Sequence, residues 1–112
     1  MSEALQVIAR GRELITPPEA FIQGHFALVD RNPLLSVAPD DPLATCWCAL
    51  GVLSKAANEL IGDLKRRSTM IGAAAKHLEK FTGGQTLIGF SDNHSHAEVL
   101  VLFDRALEVP DA

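Results

Sequence analysis

Cysteine is scarce in this chain. The two present, Cys46 and Cys48, stand one residue apart. A disulfide framework needs more cysteines and wider loops, so a reducing, cytoplasmic setting is expected. Long apolar runs are also missing. The longest reach about five residues, against roughly 20 for a membrane-spanning helix. The first fifteen residues carry Glu3, Arg10, Arg12 and Glu13, with no long apolar core behind a basic start, which argues against a secretory signal. Positive charge is short: Lys and Arg total 10, Asp and Glu 14, for a net charge of −4. A protein that coats nucleic acid needs the opposite balance on one face. No G-x-x-x-x-G-K-S/T, G-x-G-x-x-G or G-x-S-x-G occurs, so no nucleotide loop or hydrolase elbow is visible. There is no internal repeat and no low-complexity tract.

What is present describes one globular domain over residues 1–112. Hydrophobic residues make up 47% and charged residues 21%, and a chain of this length buries a core without staples. The expected fold is mainly α, a small four-helix domain with an irregular or short β-hairpin segment at about 22–40. Residues 2–15 place Ala4, Val7, Ile8, Gly11, Leu14 and Ile15 on one helical face. Thr16-Pro17-Pro18 ends that helix, and a short turn follows to Phe21. In the hairpin segment Asn32-Pro33 marks the turn and Leu34 to Val37 the return. Asp40-Asp41-Pro42 is a helix-start pattern, with an acidic cap and proline at the first position. The second helix is therefore expected from 42 to about 61, with Leu43, Trp47, Leu50, Leu53 or Ser54, Ala57 and Leu60 on its buried stripe. Gly51 inside it implies a packing reason, room for another helix to pass at close range, since glycine costs about 1 kcal/mol against alanine there. A third helix is expected over 64–81, with Leu64, Ile71, Ala75, Leu78 and Phe81 inward and a thin middle at Gly72 to Ala75. Residues 85–90 read as extended or loop, and 95–108 as the last helix.

Chemistry gathers in residues 90–98, where Asp92, Asn93, His94, His96 and Glu98 crowd together. Ser95 and Glu98 satisfy the S-x-x-E capping box, which explains both without an active site. His94, His96 and Asp92 carry zinc-type donors, but their spacing does not force convergence and is not H-E-x-x-H. Cys46 and Cys48 on a helix would point to opposite sides, so buried thiols are expected rather than a shared metal. A cysteine nucleophile at Cys48 would need a base from His25, His94 or His96. Five of the ten basic residues, Lys65, Arg66, Arg67, Lys76 and Lys80, lie on the third helix. They allow a DNA-reading unit but read first as a solvated face.

Three blocks stand out as a set: LQVIARGRELITPPEAFIQG at 5–24, WCALGVL at 47–53 and SDNHSHAEVLVLFDRAL at 91–107. Together they resemble a family of short bacterial and phage proteins of unknown function. Its members carry a W-x-QG segment, a WCALGAL helix and a C-terminal WND…AEVLALFDRA motif. Phe21 replaces the usual tryptophan, and Phe90-Ser91-Asp92 replaces Trp-Asn-Asp. Cys48 matches the motif while Cys46 lies outside it, and Asp92, His96, Glu98 and Arg105 match family positions. The resemblance implies a shared fold and a bacterial or mobile-element setting, not a reaction.

The leading expectation is a non-enzymatic protein-binding or accessory protein with no cofactor or metal. It acts through a protein partner or by self-association as a homodimer. The alternatives are a small metal-dependent or cysteine enzyme using Cys48, His94 and His96, and a DNA-binding regulator using the 64–80 helix. The candidate surface is Asp92, Asn93, His94, His96 and Cys48. Trp47 is expected to anchor the core with its indole N–H bonded, and Arg105 to pair with Asp92 or with Asp40-Asp41.

Overall fold

The computed structural model describes residues 1–111. Five helices and a three-stranded antiparallel sheet make up the fold. Helix α1 spans Glu3–Leu14 and starts at Ser2, whose hydroxyl accepts from the Leu5 N–H at 3.1 Å. Its inward face is the expected one: Ala4, Val7, Ile8, Gly11 and Ile15 are buried. After a short 3-10 turn at Pro18–Ala20 the chain enters the sheet.

Strand β1 (Ala27–Val29) lies between β2 (Asn32–Ser36) and β3 (Cys46–Trp47). The hairpin is present, but its turn is Asp30-Arg31 rather than Asn32-Pro33. Both turn residues have positive φ, 51° and 60°. Positive φ at both centres is the hairpin geometry that matches strand twist, normally supplied by Asn-Gly. Here the Arg31 guanidinium offsets the strain by donating from Nη1 to the carbonyls of Phe21 at 2.7 Å and Glu19 at 3.2 Å. Pro33 is tolerated because β2 is an edge strand.

The second helix starts later than its capping signal implies. Helix α2 is Ala49–Leu60, not 42–61. Asp41 does use its carboxylate, on the Leu43 N–H at 2.8 Å, and its carbonyl accepts from Ala44 at 3.0 Å. That closes a local turn, because an Asx turn and an N-cap share the same bond. Cys46-Trp47 then runs as a strand against β1, pairing Leu28 with Cys46 and Ala27 with Trp47. Leu43 is consequently exposed, as are Leu60 and Leu64 at helix ends. Trp47 is buried and its indole N–H donates to the Pro39 carbonyl at 2.9 Å.

Helix α3 (Leu64–Glu79) starts on Asp63, whose carboxylate accepts from Arg66 N at 2.9 Å. Its glycine does not admit a neighbouring helix: a Cβ on Gly72 would meet nothing within 4 Å. The segment expected as loop after Gly84 is instead a fifth helix, α4 (Leu87–Asn93). Thr86 caps it by accepting from Gly89 N at 3.1 Å, and Glu79 of α3 accepts from Leu87 N at 2.7 Å. Seven residues are too few for a helix to hold alone, so this side-chain cap from another element is part of why it forms.

Helix α5 is His96–Leu107, and both bonds of its capping box are made: Glu98 N to Ser95 Oγ at 3.2 Å and Ser95 N to Glu98 Oε1 at 3.0 Å. Ser95→Ala is expected to cost about 0.5–2 kcal/mol, the usual range for a lost N-cap, measured by urea denaturation. An unchanged midpoint would remove the cap from the list of stabilising features. Val99, Leu102, Phe103 and Ala106 face inward. The core gathers around α1, which packs against α2, α3 and α5, with Ala74 and Leu78 contributed by α3. Val52, off the expected stripe, is fully buried there. Val101, Leu34 and Leu35 remain exposed. Among the described residues no helix is long and apolar enough to cross a membrane.

Candidate functional site

Helix α4 carries chemistry on two flanks. Ile88 and Asp92, four residues apart, face the strand end of the molecule. Phe90 and His94 face α5. On the first flank a cleft of about 100 Å³ is lined by Gly24, His25, Phe26, Cys48, Ile88 and Asp92. On the second a groove of about 370 Å³ runs between Phe81, Phe90, His94, Val101, Leu102 and Arg105.

The cleft brings Cys48 and Asp92 together. Cys48 is the N-cap of α2, and its sulfur accepts from Gly51 N at 3.3 Å. Ser91, buried on α4, accepts from Ala49 N at 3.1 Å, so two of the helix's free donors are already satisfied. Asp92 accepts from the Gly24 N–H through Oδ1 at 2.9 Å. Gln23 stitches the same junction, donating to the carbonyls of His94 at 2.6 Å and Ser91 at 3.2 Å. Burial pushes the Cys48 thiol up from its ordinary pKa. The Gly51 and Leu50 N–H groups pull the other way, and the Asp92 carboxylate adds to the rise. A nucleophilic cysteine needs an electropositive, partly open setting. This thiol is 4% exposed beside a carboxylate.

The other candidates disperse. His94 stacks on Phe90 with ring centroids 3.7 Å apart, and its Nδ1 bonds the Phe90 carbonyl at 2.8 Å. His96 reaches across to α1, with Nε2 at 2.6 Å from the Ile15 carbonyl. Its ring lines a third depression, beside Phe21, Gln23 and Arg31. Asn93 bonds back to the Gly89 carbonyl at 2.8 Å. Of the three histidines weighed as a base for Cys48, only His25 lines the same cleft. Among the described residues no group of three or more His, Cys, Asp or Glu side chains is arranged to hold a metal. Cys46 is buried with Ile22 and Leu28, separate from the cleft, its sulfur 3.5 Å from the Leu28 carbonyl. Asp40, Asp41 and Asp92 are not the partners of Arg105, whose guanidinium sits 5.5 Å from the Phe81 ring centroid. On α3, Arg66 pairs with Glu3, and Arg67 donates to the carbonyls of Ile61 at 3.1 Å and Gly62 at 3.3 Å. Two of the basic residues considered for DNA are thus engaged within the fold.

Gln23, Gly24, Phe26 and Ile88 are the site residues that sequence reasoning passed over, while His25 enters it only as a base for Cys48. The Q-G pair in the first block was the available signal, but Gly24 has φ of 80° and its role is a backbone N–H, which no residue type announces.

A family model described as a family of unknown function (DUF6197) matches residues 1–109. No curated protein and no solved structure matches.

Proposed function

The chain belongs to this family of unknown function, and we propose that it is a non-enzymatic, protein-binding accessory module that grips its partner along α4 and α5. The carrying observation is the groove between Phe81, Phe90, Val101 and Leu102. It is the roomiest of the depressions described, and Val101 at its edge is 56% exposed. Exposed apolar surface of this kind usually marks an interaction site. Arg105 lies at the same groove, and among the described residues it forms no ion pair. A partner segment with an apolar side chain for the groove and a carboxylate for Arg105 fits both features. The burial of Cys48 and the engagement of His94 and His96 favour binding over catalysis. The sequence blocks support a setting in a bacterium or its mobile elements, and a second copy of the chain is one partner this surface can serve.

The test compares three baits in host lysate: wild type, Val101→Glu with Arg105→Glu, and the control Leu64→Glu at an exposed position on α3. Equal melting midpoints establish that all three fold. A stoichiometric partner held by wild type and control but lost by the double variant is expected. Light scattering of the same samples over micromolar concentrations reports a doubled mass if the partner is a second copy. Identical retention by all three baits, with no change of mass, would remove the groove from consideration.

A further inference from the structure

The cleft on the opposite flank of α4 has a charge and two apolar walls that the fold does not use. Asp92 makes one hydrogen bond, from Gly24 N to Oδ1, and among the described residues Oδ2 has no partner and the carboxylate forms no ion pair. The nearby end of α2 does not require that charge, because Ala49 N is taken by Ser91 Oγ and Gly51 N by Cys48 Sγ. No Lys or Arg lines the cleft, and the His25 ring beside it makes no hydrogen bond among the described residues. Phe26 and Ile88, which flank it, are 51% and 42% exposed. The apolar surface of these two side chains is left in water at a cost, and the exposed Asp92 carboxylate beside them is free to take a cation. The combination suits a ligand with an apolar stem and a cationic head.

We propose that the Gly24–Phe26, Cys48, Ile88 and Asp92 cleft is a receptor for a primary alkylammonium group. The head pairs with Asp92 Oδ2, and the stem lies between Ile88 and the ring of Phe26. The volume sets the size of the guest. At about 100 Å³ the cleft is smaller than the ~150 Å³ cavity that accepts benzene in another protein, so a short unbranched chain fits better than a ring. The net charge of −4 favours approach of a cation. A lysine side chain and a free alkylamine both carry this chemistry. The slot stands on its own cleft and does not depend on the α5 groove.

The experiment is a two-dimensional amide NMR titration of the full chain at neutral pH and low salt. The Gly24 N–H reports the site directly, since it donates to Asp92. Added n-butylammonium chloride is expected to shift the Gly24, Phe26 and Ile88 amides saturably, with half-saturation on the order of millimolar for so small a ligand. n-Butanol, the neutral counterpart, is expected to bind at least about tenfold more weakly. Asp92→Asn keeps an oxygen for Gly24 N–H, so its melting midpoint stays put while butylammonium binding falls by a similar factor. Nα-acetyl-lysine N-methylamide separates the sources: saturable shifts assign the slot to lysine side chains, and their absence beside butylammonium binding assigns it to free amines. Equal binding of butanol and butylammonium, binding retained in Asp92→Asn, or no saturable shift up to about 0.1 M would each overturn the proposal.

Discussion

Gly51→Ala is expected to cost at least about 3 kcal/mol, the upper end of what overpacking does, or to prevent folding. A Cβ at Gly51 would stand 1.9 Å from the Phe26 carbonyl oxygen and 2.8 Å from its carbon. These are backbone atoms, so no rotamer change relieves the clash. The only escape is for the chain at Phe26 to leave α2. That movement breaks the Cys48 N–H bond to the Phe26 carbonyl, 3.4 Å long, and disturbs the junction with β1. Gly72→Ala is the matched control with opposite sign. That glycine is also inside a helix, but open space surrounds it. Removing unfolded-state freedom should stabilise the fold there by about 0.4–1 kcal/mol. Denaturant melts of both variants decide the matter. A Gly51→Ala chain as stable as wild type would mean that the close approach of Phe26 to α2 is misplaced. Because Phe26 also walls the cleft, partly folded Gly51→Ala protein should lose butylammonium binding together with stability.

Phe103→Ala should remove about 3–5 kcal/mol, as expected for a fully buried phenylalanine. Phe103 is the largest side chain with no exposure, and it sits where three helices meet. A Cβ built on Gly11 of α1 would lie 3.4 Å from its ring and 3.3 Å from Val52 of α2. For a chain of this size the loss should lower Tm by more than about 10 °C. Val101→Ala, two residues away on the exposed side, should stay within about 0.5 kcal/mol. The pair separates the structural face of α5 from the face offered to a partner. Similar melting points for the two variants would contradict the assigned inward face.

The sequence by itself determined the helices with strong periodicity and local caps. For α1 and α5 the inward faces follow the apolar spacing, and Ser95 makes its expected cap bond; α3 does not follow its expected stripe, since it buries Ala74, His77 and Leu78 while Leu64 is exposed. These signals are local, since a cap and its first turn lie within four residues of each other. The indole bond of Trp47 and the packing reason for Gly51 were legible too, although the neighbour at Gly51 is a strand-entry backbone and not a helix.

Only the tertiary structure decided the rest. Whether Asp41 opens a helix or closes a turn is not written in the Asp-Asp-Pro pattern, because both use the same bond. Pairing of Cys46-Trp47 with β1 selects the turn, and with it the place of Cys48 as a helix cap facing Asp92. Helix α4 depends in part on the Glu79 carboxylate, eight residues away and on another helix. The grouping of residues from positions 24, 48 and 92 into one cleft likewise depends on backbone groups, the Gly24 N–H and the Phe26 carbonyl. Every residue type offers such groups, so composition and spacing carry no trace of them until the chain is folded.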